Sequence, residues 1–182
     1  MYGAGNIGRG FIGHLLHDSG YKVVFVDVNQ DVVSALNERH AYTQLLMDGD
    51  GVEHREITGV RTVDGRDKTA VAREIAAYEV MAVSVGAAIL PRIAPLLATG
   101  LELRDTPLNI LVCENLAHGP SILHGYVAEQ LADPSVSWAR PSGAWCRSCR
   151  RSSGQATRPA SPWSGFVSCR WTPTRWYSLC LR

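Results

Sequence analysis

The stretch Gly3-Ala4-Gly5-Asn6-Ile7-Gly8 opens the chain two residues after its first methionine and fits the pattern G-x-G-x-x-G. In a strand-to-helix turn the first such glycine permits a tight bend, the second lets the backbone approach a pyrophosphate, and the third lets the helix pack close to its strand. The helix that follows points unpaired N–H groups and the positive end of its dipole at the phosphates. Glycine turns before helices are common, so the pattern needs context. Lys22 to Val28 (KVVFVDV) reads as a buried strand, and Asp27 ends it nineteen residues after Gly8. An acid there accepts hydrogen bonds from the adenosine ribose 2′-hydroxyl, and its charge repels the extra phosphate of NADP. The spacing therefore predicts dinucleotide binding with NAD preferred.

Outward from this point, short β-branched runs alternate with amphipathic patterns, the signature of a parallel sheet covered by crossover helices. Ile7, Phe11, Ile12, Leu15 and Leu16 fall on one helical face, with Gly20 as a stop. Asn29 is placed to cap a helix carrying Val32, Val33 and Leu36. Asp48-Gly49-Asp50-Gly51 marks a turn between strand-like segments near Thr43 to Met47 and Val52 to Val63, which predicts an inserted hairpin. A helix near Asp67 to Ala77, a strand Val80 to Val85, a Pro-punctuated helix near Leu90 to Leu103, a strand Leu108 to Cys113 and a helix Pro120 to Ala132 follow. One feature departs from the pattern: only Met1 and Tyr2 precede the glycines, where a strand of about five residues is expected. This predicts an empty central position in the sheet, no rigid lead-in to Gly3, and a start codon placed several residues too late.

The 182 residues are 46% hydrophobic and 19% charged with a formal net charge of +1, which on its face argues against a nucleic-acid or polybasic membrane protein. The average conceals a break. Residues 1–133 carry all seventeen acids against ten bases, a net −7, whereas residues 134–182 carry eight Arg with no acid and no Lys, a net +8. No apolar run reaches the roughly 18–20 residues of a spanning helix, and no basic region leads into an apolar one at the N-terminus. A cytoplasmic chain is the expectation. Four of the five Cys (Cys146, Cys149, Cys169, Cys180) lie after residue 133, so no disulfide framework is distributed over the chain. His14 and His17, three apart, read as a neutral or solvated pair, and no metal site is expected.

The segments Gly3-Ala4-Gly5-Asn6-Ile7-Gly8-Arg9-Gly10-Phe11-Ile12-Gly13, Asp27-Val28-Asn29, Ser84-Val85-Gly86 and Asn109 to Asn115 (NILVCEN), in this order and at these spacings, resemble the N-terminal domain of the polyol-specific long-chain dehydrogenases, in particular their mannitol-1-phosphate 5-dehydrogenase branch. The resemblance covers roughly residues 2–133. It implies an α/β, Rossmann-like domain and reversible, metal-free hydride transfer between NAD and a polyol phosphate, here mannitol 1-phosphate and fructose 6-phosphate, with a monomer favoured over an oligomer. By the same resemblance Gly3, Ala4, Gly5, Asn6, Ile7 and Gly8 cradle the pyrophosphate, Asp27 and Asn29 take the adenosine ribose, and Val85 and Gly86 lie at the nicotinamide half. Glu114 and Asn115 sit just past a strand's carboxyl end, where open α/β sheets place ligands; helix capping or plain solvation is the alternative for Glu114. Arg9 reads either as a phosphate contact or as an exposed first-turn residue. Sister mannitol 2-dehydrogenases and fructuronate or tagaturonate reductases remain the neighbouring alternative, and a non-catalytic nucleotide-binding fragment the alternative of another class.

In this family a lysine acts as general base, beside an asparagine and a histidine, on a second, mostly helical domain. Here the last Lys is Lys68 and the last His is His124, and Arg, which stays protonated, cannot replace a base. No catalytic residue is therefore assigned. Residues 134–182 instead hold ten Ser, eight Arg, five Pro, five Trp and four Cys, an abrupt change for one folded domain. Trp145 to Arg151 written in GC-rich codons and read one base earlier gives Val-Val-Pro-Val-Val-Pro-Pro, which resembles the strand entering the family's second domain. The same offset restores acids to Ser168 to Trp176. This predicts a frameshift between the codons of about Pro134 and Ala144, an unstructured tail and an inactive, truncated enzyme. Cys146-x-x-Cys149 lacks the second pair a zinc site needs, and the Arg and Trp residues show no periodicity that would organise a nucleic-acid or membrane surface.

Overall fold

The computed structural model describes residues 1–48 and 51–133. The expected segment 134–182, with its frameshift and disorder, and the middle of the hairpin turn at residues 49 and 50 lie outside the described residues. A helix beginning at Asn6 is wound as a π-helix over Gly8–Gly13 and continues as α1, His14–Asp18. Then come β1 (Val24–Asp27), α2 (Gln30–Arg39), β2 (Ala41–Asp48), β3 (Gly51–Thr58), β4 (Arg61–Asp64), α3 (Lys68–Ala77), β5 (Val80–Val83), α4 (Leu90–Glu102), β6 (Asn109–Val112) and α5 (Gly119–Ala128).

The sheet is parallel. β1 pairs with β4 and β5 with β6, and Tyr2 bridges the two halves through Val26 on one side and Val83 on the other, giving the order β4-β1-Tyr2-β5-β6. Contrary to the expectation of an empty centre, Met1 to Gly3 are hydrogen-bonded into it. Tyr2 donates to the Ala82 carbonyl at 2.7 Å and accepts from Ser84 N at 2.9 Å, while Met1 accepts from Val26 N at 2.9 Å and Gly3 donates to the Val26 carbonyl at 2.8 Å. Each residue of a strand has two hydrogen-bonding groups on one edge, so even two residues can stitch together the carboxyl ends of their neighbours.

Side-chain alternation along β1 builds two cores. Val26 joins Tyr2, Val83, Ile75, Leu97 and Leu123 on the face covered by α3, α4 and α5, whereas Val23 and Phe25 meet Leu36, Tyr42 and Ile57 on the other. Helices thus lie on both faces, as a doubly wound fold requires. The expected cap is present, Asn29 Oδ1 accepting from Asp31 N at 3.0 Å, and Asp67 caps α3 in the same way, its Oδ1 accepting from Ala70 N at 2.9 Å. At the other end of α3, Arg104 donates to the carbonyls of Ile75, Ala76 and Tyr78, placing a cation on the helix's negative end.

The hairpin expectation holds, with β2 antiparallel to β3 from Ala41↔Thr58 to Asp48↔Gly51. Its second arm is shorter than Val52 to Val63: Gly59, at φ 68°, breaks the run, and the chain re-enters the main sheet as β4. β4 lies at the sheet's edge, where Asn37 of α2 covers it by donating to the Thr62 carbonyl and accepting from Thr62 N, both at 2.8 Å. Ile7 does not join the buried helical face. It is 54% exposed, because the helix starts at the sheet's end and its first turn stands clear of the strands.

Candidate functional site

The carboxyl ends of Tyr2, β1 and β5 converge on the glycine turn. Gly3 has φ +98°, a conformation a side chain resists, and a Cβ there would collide with the Ser84 carbonyl oxygen. A Cβ on Gly8 would run into the Gly3 carbonyl oxygen, so the helix is pressed against its own lead-in. Gly5 differs: nothing stands within 4 Å of where its Cβ would be, and with Asn6 and Ile7 it faces solvent. The three glycines thus divide as turn, open cradle and close packing. The helix start at Asn6 directs its early N–H groups toward that opening.

Asp27 ties the cradle to the sheet. Its Oδ2 accepts from Ala4 N at 2.7 Å and its Oδ1 from Asn29 N at 2.9 Å. Each carboxylate oxygen has a second lone pair, so both bonds leave capacity for a ribose hydroxyl. Asn29 spends its own carboxamide oxygen on the α2 cap. Arg9, also open to two readings, donates from Nε to the Ala4 carbonyl at 2.5 Å, which braces the glycine turn from the helix side.

Across the cleft, Glu114 holds the loop after β5. Its Oε1 accepts from Val85 N at 2.6 Å and Gly86 N at 2.8 Å, with Gly86 at φ 93°. Neither helix capping nor simple solvation describes this carboxylate; it fixes the two residues expected at the nicotinamide half. Asn115 is exposed beside it. Ser84 Oγ, between this loop and Gly3, is a buried hydroxyl oxygen with no hydrogen-bond partner among the described residues. The expected residues therefore gather along one edge of the sheet.

Sequence reasoning missed the hairpin's part in the site. The Tyr42 hydroxyl donates to the Arg9 carbonyl at 2.7 Å and Gln44 Nε2 to the Gly10 carbonyl at 2.5 Å, so β2 clamps the π-helical turn of the glycine helix. Phe25 meets Tyr42 edge-to-face at 6.0 Å between centroids, a contact of about 0.5–1.5 kcal/mol beyond burial. Burial pushes the Tyr42 phenol up to about 12. The available signal was alternation: Tyr42 and Gln44 share the inward face of β2, and a buried glutamine implies a polar partner. His14 is likewise no simple solvated residue, lying 3.1 Å from Gln44 Nε2 and 2.9 Å from Asp18 Oδ2. Among the described residues no group of three or more His, Cys, Asp or Glu is arranged to hold a metal, and no helix is long and apolar enough to cross a membrane.

The geometry suits a dinucleotide: an open cradle at Gly5, a helix N-terminus behind it, a carboxylate at a strand end and a fixed second loop across the cleft. Comparison with known proteins agrees. Residues 1–149 match the family model described as the mannitol dehydrogenase Rossmann domain, a match that runs past the composition break at residue 133. The chain is 43% identical over 144 residues to the mannitol-1-phosphate 5-dehydrogenase of Lactiplantibacillus plantarum, covering 76% of this chain and 37% of that protein. It is also 43% identical over 136 residues to the enzyme of the same name from Brevibacillus brevis, covering 72% of this chain and 35% of the relative. The chain spans about a third of the length of these relatives. It belongs to the mannitol dehydrogenase family of oxidoreductases and carries that family's Rossmann domain.

Proposed function

We propose that residues 1–133 are the NAD-binding part of a dehydrogenase that interconverts mannitol 1-phosphate and fructose 6-phosphate. The observation that carries this reading is Asp27, whose carboxylate stands at the end of β1, bonded to Ala4 N beside the open Gly5 cradle. In this reading Gly3, Ala4, Gly5, Asn6, Ile7 and Gly8 receive the pyrophosphate. Asp27 accepts from the adenosine ribose, Asn29 fixes the turn beside it, and the same negative charge disfavours NADP. Val85 and Gly86, held by Glu114, set the backbone at the nicotinamide half, with Asn115 at the rim.

Bound NAD would supply the hydride acceptor. The chain's own residues bind and orient it, and we assign none of them to proton transfer. No Lys or His occurs after His124, so residues 134–182 offer no neutral amine or imidazole to take the substrate hydroxyl proton. The 182-residue chain is therefore expected to bind NAD without turning over substrate. Incubating it with NAD and mannitol 1-phosphate and following NADH absorbance tests this: no rate above background is expected, and clear turnover would overturn the non-catalytic reading.

A further inference from the structure

The parallel pair of β1 and β4 ends at Asp27↔Asp64, which sets two acids side by side at the carboxyl edge of the sheet, their Cα atoms about 5 Å apart. Their partners differ. Asp27 accepts from the backbone N–H groups of Ala4 and Asn29, which carry no net charge. Asp64 holds a cation: Arg66 Nε donates to Oδ1 at 3.0 Å and to Oδ2 at 3.2 Å, Nη2 donates to Oδ2 at 2.9 Å, and the Arg66 backbone N–H reaches Oδ1 at 3.0 Å. The Arg66 side chain and backbone N–H together hold the Asp64 carboxyl down at about 2, so this acid stays charged at any working pH.

The turn after β4 crosses the end of β1. Gly65 N donates to the Asp27 carbonyl at 2.8 Å, and a Cβ on Gly65 would lie 3.1 Å from Val28 Cγ1. Arg66 thus leaves the sheet one residue beyond a direct bond to Asp27, beside a Val28 that is 63% exposed, and its own side chain is 60% exposed. An arginine near the ribose acid is the group that accommodates the 2′-phosphate of NADP in dinucleotide-binding folds. Here that group is present, and its fork is turned onto Asp64.

We propose that Asp64 is a second determinant of coenzyme selection: by holding Arg66 in a two-pronged ion pair, it withholds the cation that a 2′-phosphate would need. The inference rests on the reading of Asp27 as the ribose acceptor. Asp27 and Asp64 contribute −2 and Arg66 contributes +1, which leaves a net −1 facing a phosphate that carries nearly two negative charges of its own. Drawing Arg66 over to that phosphate would strand Asp64 uncompensated beside it, and this opposes the exchange. With Asp64 uncharged, the same three side chains sum to zero and the guanidinium is free to make a bidentate contact with phosphate oxygens.

The test is calorimetric titration of the parent chain, Asp64→Asn and the double variant Asp64→Asn/Arg66→Gln with NAD and with NADP. Asparagine keeps an oxygen for the Arg66 backbone N–H, so the turn is preserved, and Asp64→Ser offers a second uncharged acceptor there. The ratio of NADP to NAD affinity is expected to rise about tenfold or more in both single variants and to return to near the parent ratio in the double variant. A merely structural role would weaken both coenzymes together and leave the ratio unmoved. An unchanged ratio in the single variants, or a gain that survives loss of the Arg66 charge, would overturn the proposal. A parent chain that prefers NAD while the variants keep its ratio removes the role of Asp64 alone; a parent chain that binds neither coenzyme removes the reading of Asp27 and this proposal with it.

Discussion

Gly8 and Gly10 are two positions apart on one helix and have opposite requirements. A Cβ on Gly8 meets the backbone of Gly3, which cannot yield without moving the turn, whereas nothing lies within 4 Å of one on Gly10. Gly8→Ala is expected to cost about 1–3 kcal/mol or more by overpacking and to weaken NAD binding, while Gly10→Ala is expected to be neutral or to stabilise by up to about 1 kcal/mol through helix propensity. Urea denaturation of both variants checks the contrast; equal losses would show that the close approach at Gly8 does not govern the turn. The tight turn and the close packing of the glycines were legible in the sequence because the G-x-G-x-x-G spacing stands ahead of a helical pattern and a buried strand ending in Asp27. Glu114 was legible only in position, since nothing in NILVCEN announces that its carboxylate turns back to the Val85 and Gly86 amides.

Among the elements, the loop after β5 depends on a single side chain from the loop after β6. Glu114→Ala leaves two loop N–H groups without their acceptor, and hydrogen bonds to a charged group are worth about 1.5–3 kcal/mol each. The variant is expected to lose about tenfold or more in affinity for NAD while binding ADP-ribose, which lacks the nicotinamide ring, as the parent chain does. Calorimetric titration with both ligands checks this, and an equal loss for the two would place Glu114's influence elsewhere. The helices and strands read from periodicity are present with ends shifted by a few residues, because buried parallel strands and capped helices announce themselves locally, except that the Val52 to Val63 run divides into β3 and β4 in different sheets. The hairpin's clamp on the π-helical turn was not legible. It joins Tyr42 and Gln44 to carbonyls more than thirty residues away in sequence, and only tertiary structure brings those together.

At the scale of the whole sheet, the described residues are stitched at their centre by Met1 and Tyr2, and that arrangement has a pH signature. Burial pushes the Met1 amine down from 8 to about 5, with Glu74 opposing. Between those values the unfolded chain binds a proton that the folded chain does not, so stability falls as pH drops from about 8 to about 5 and levels off below. The full effect is bounded at about 4 kcal/mol, and N-terminal acetylation is expected to remove it; unfolding free energies of both forms across that range provide the check. An unchanged slope after acetylation would show that the amine is not held uncharged in the sheet. The central position that periodicity left empty is occupied because two residues' backbone groups suffice to bridge its neighbours, a fact of hydrogen-bond geometry rather than of residue type. The glycine turn, the carboxylate at the end of β1 and the loop held by Glu114 converge on the cradle between Gly5 and Asp27. Isothermal titration of the chain with NAD and with NADP tests it most directly: NAD is expected to bind, and more tightly than NADP, whereas binding of NADP alone, or of neither, would contradict it.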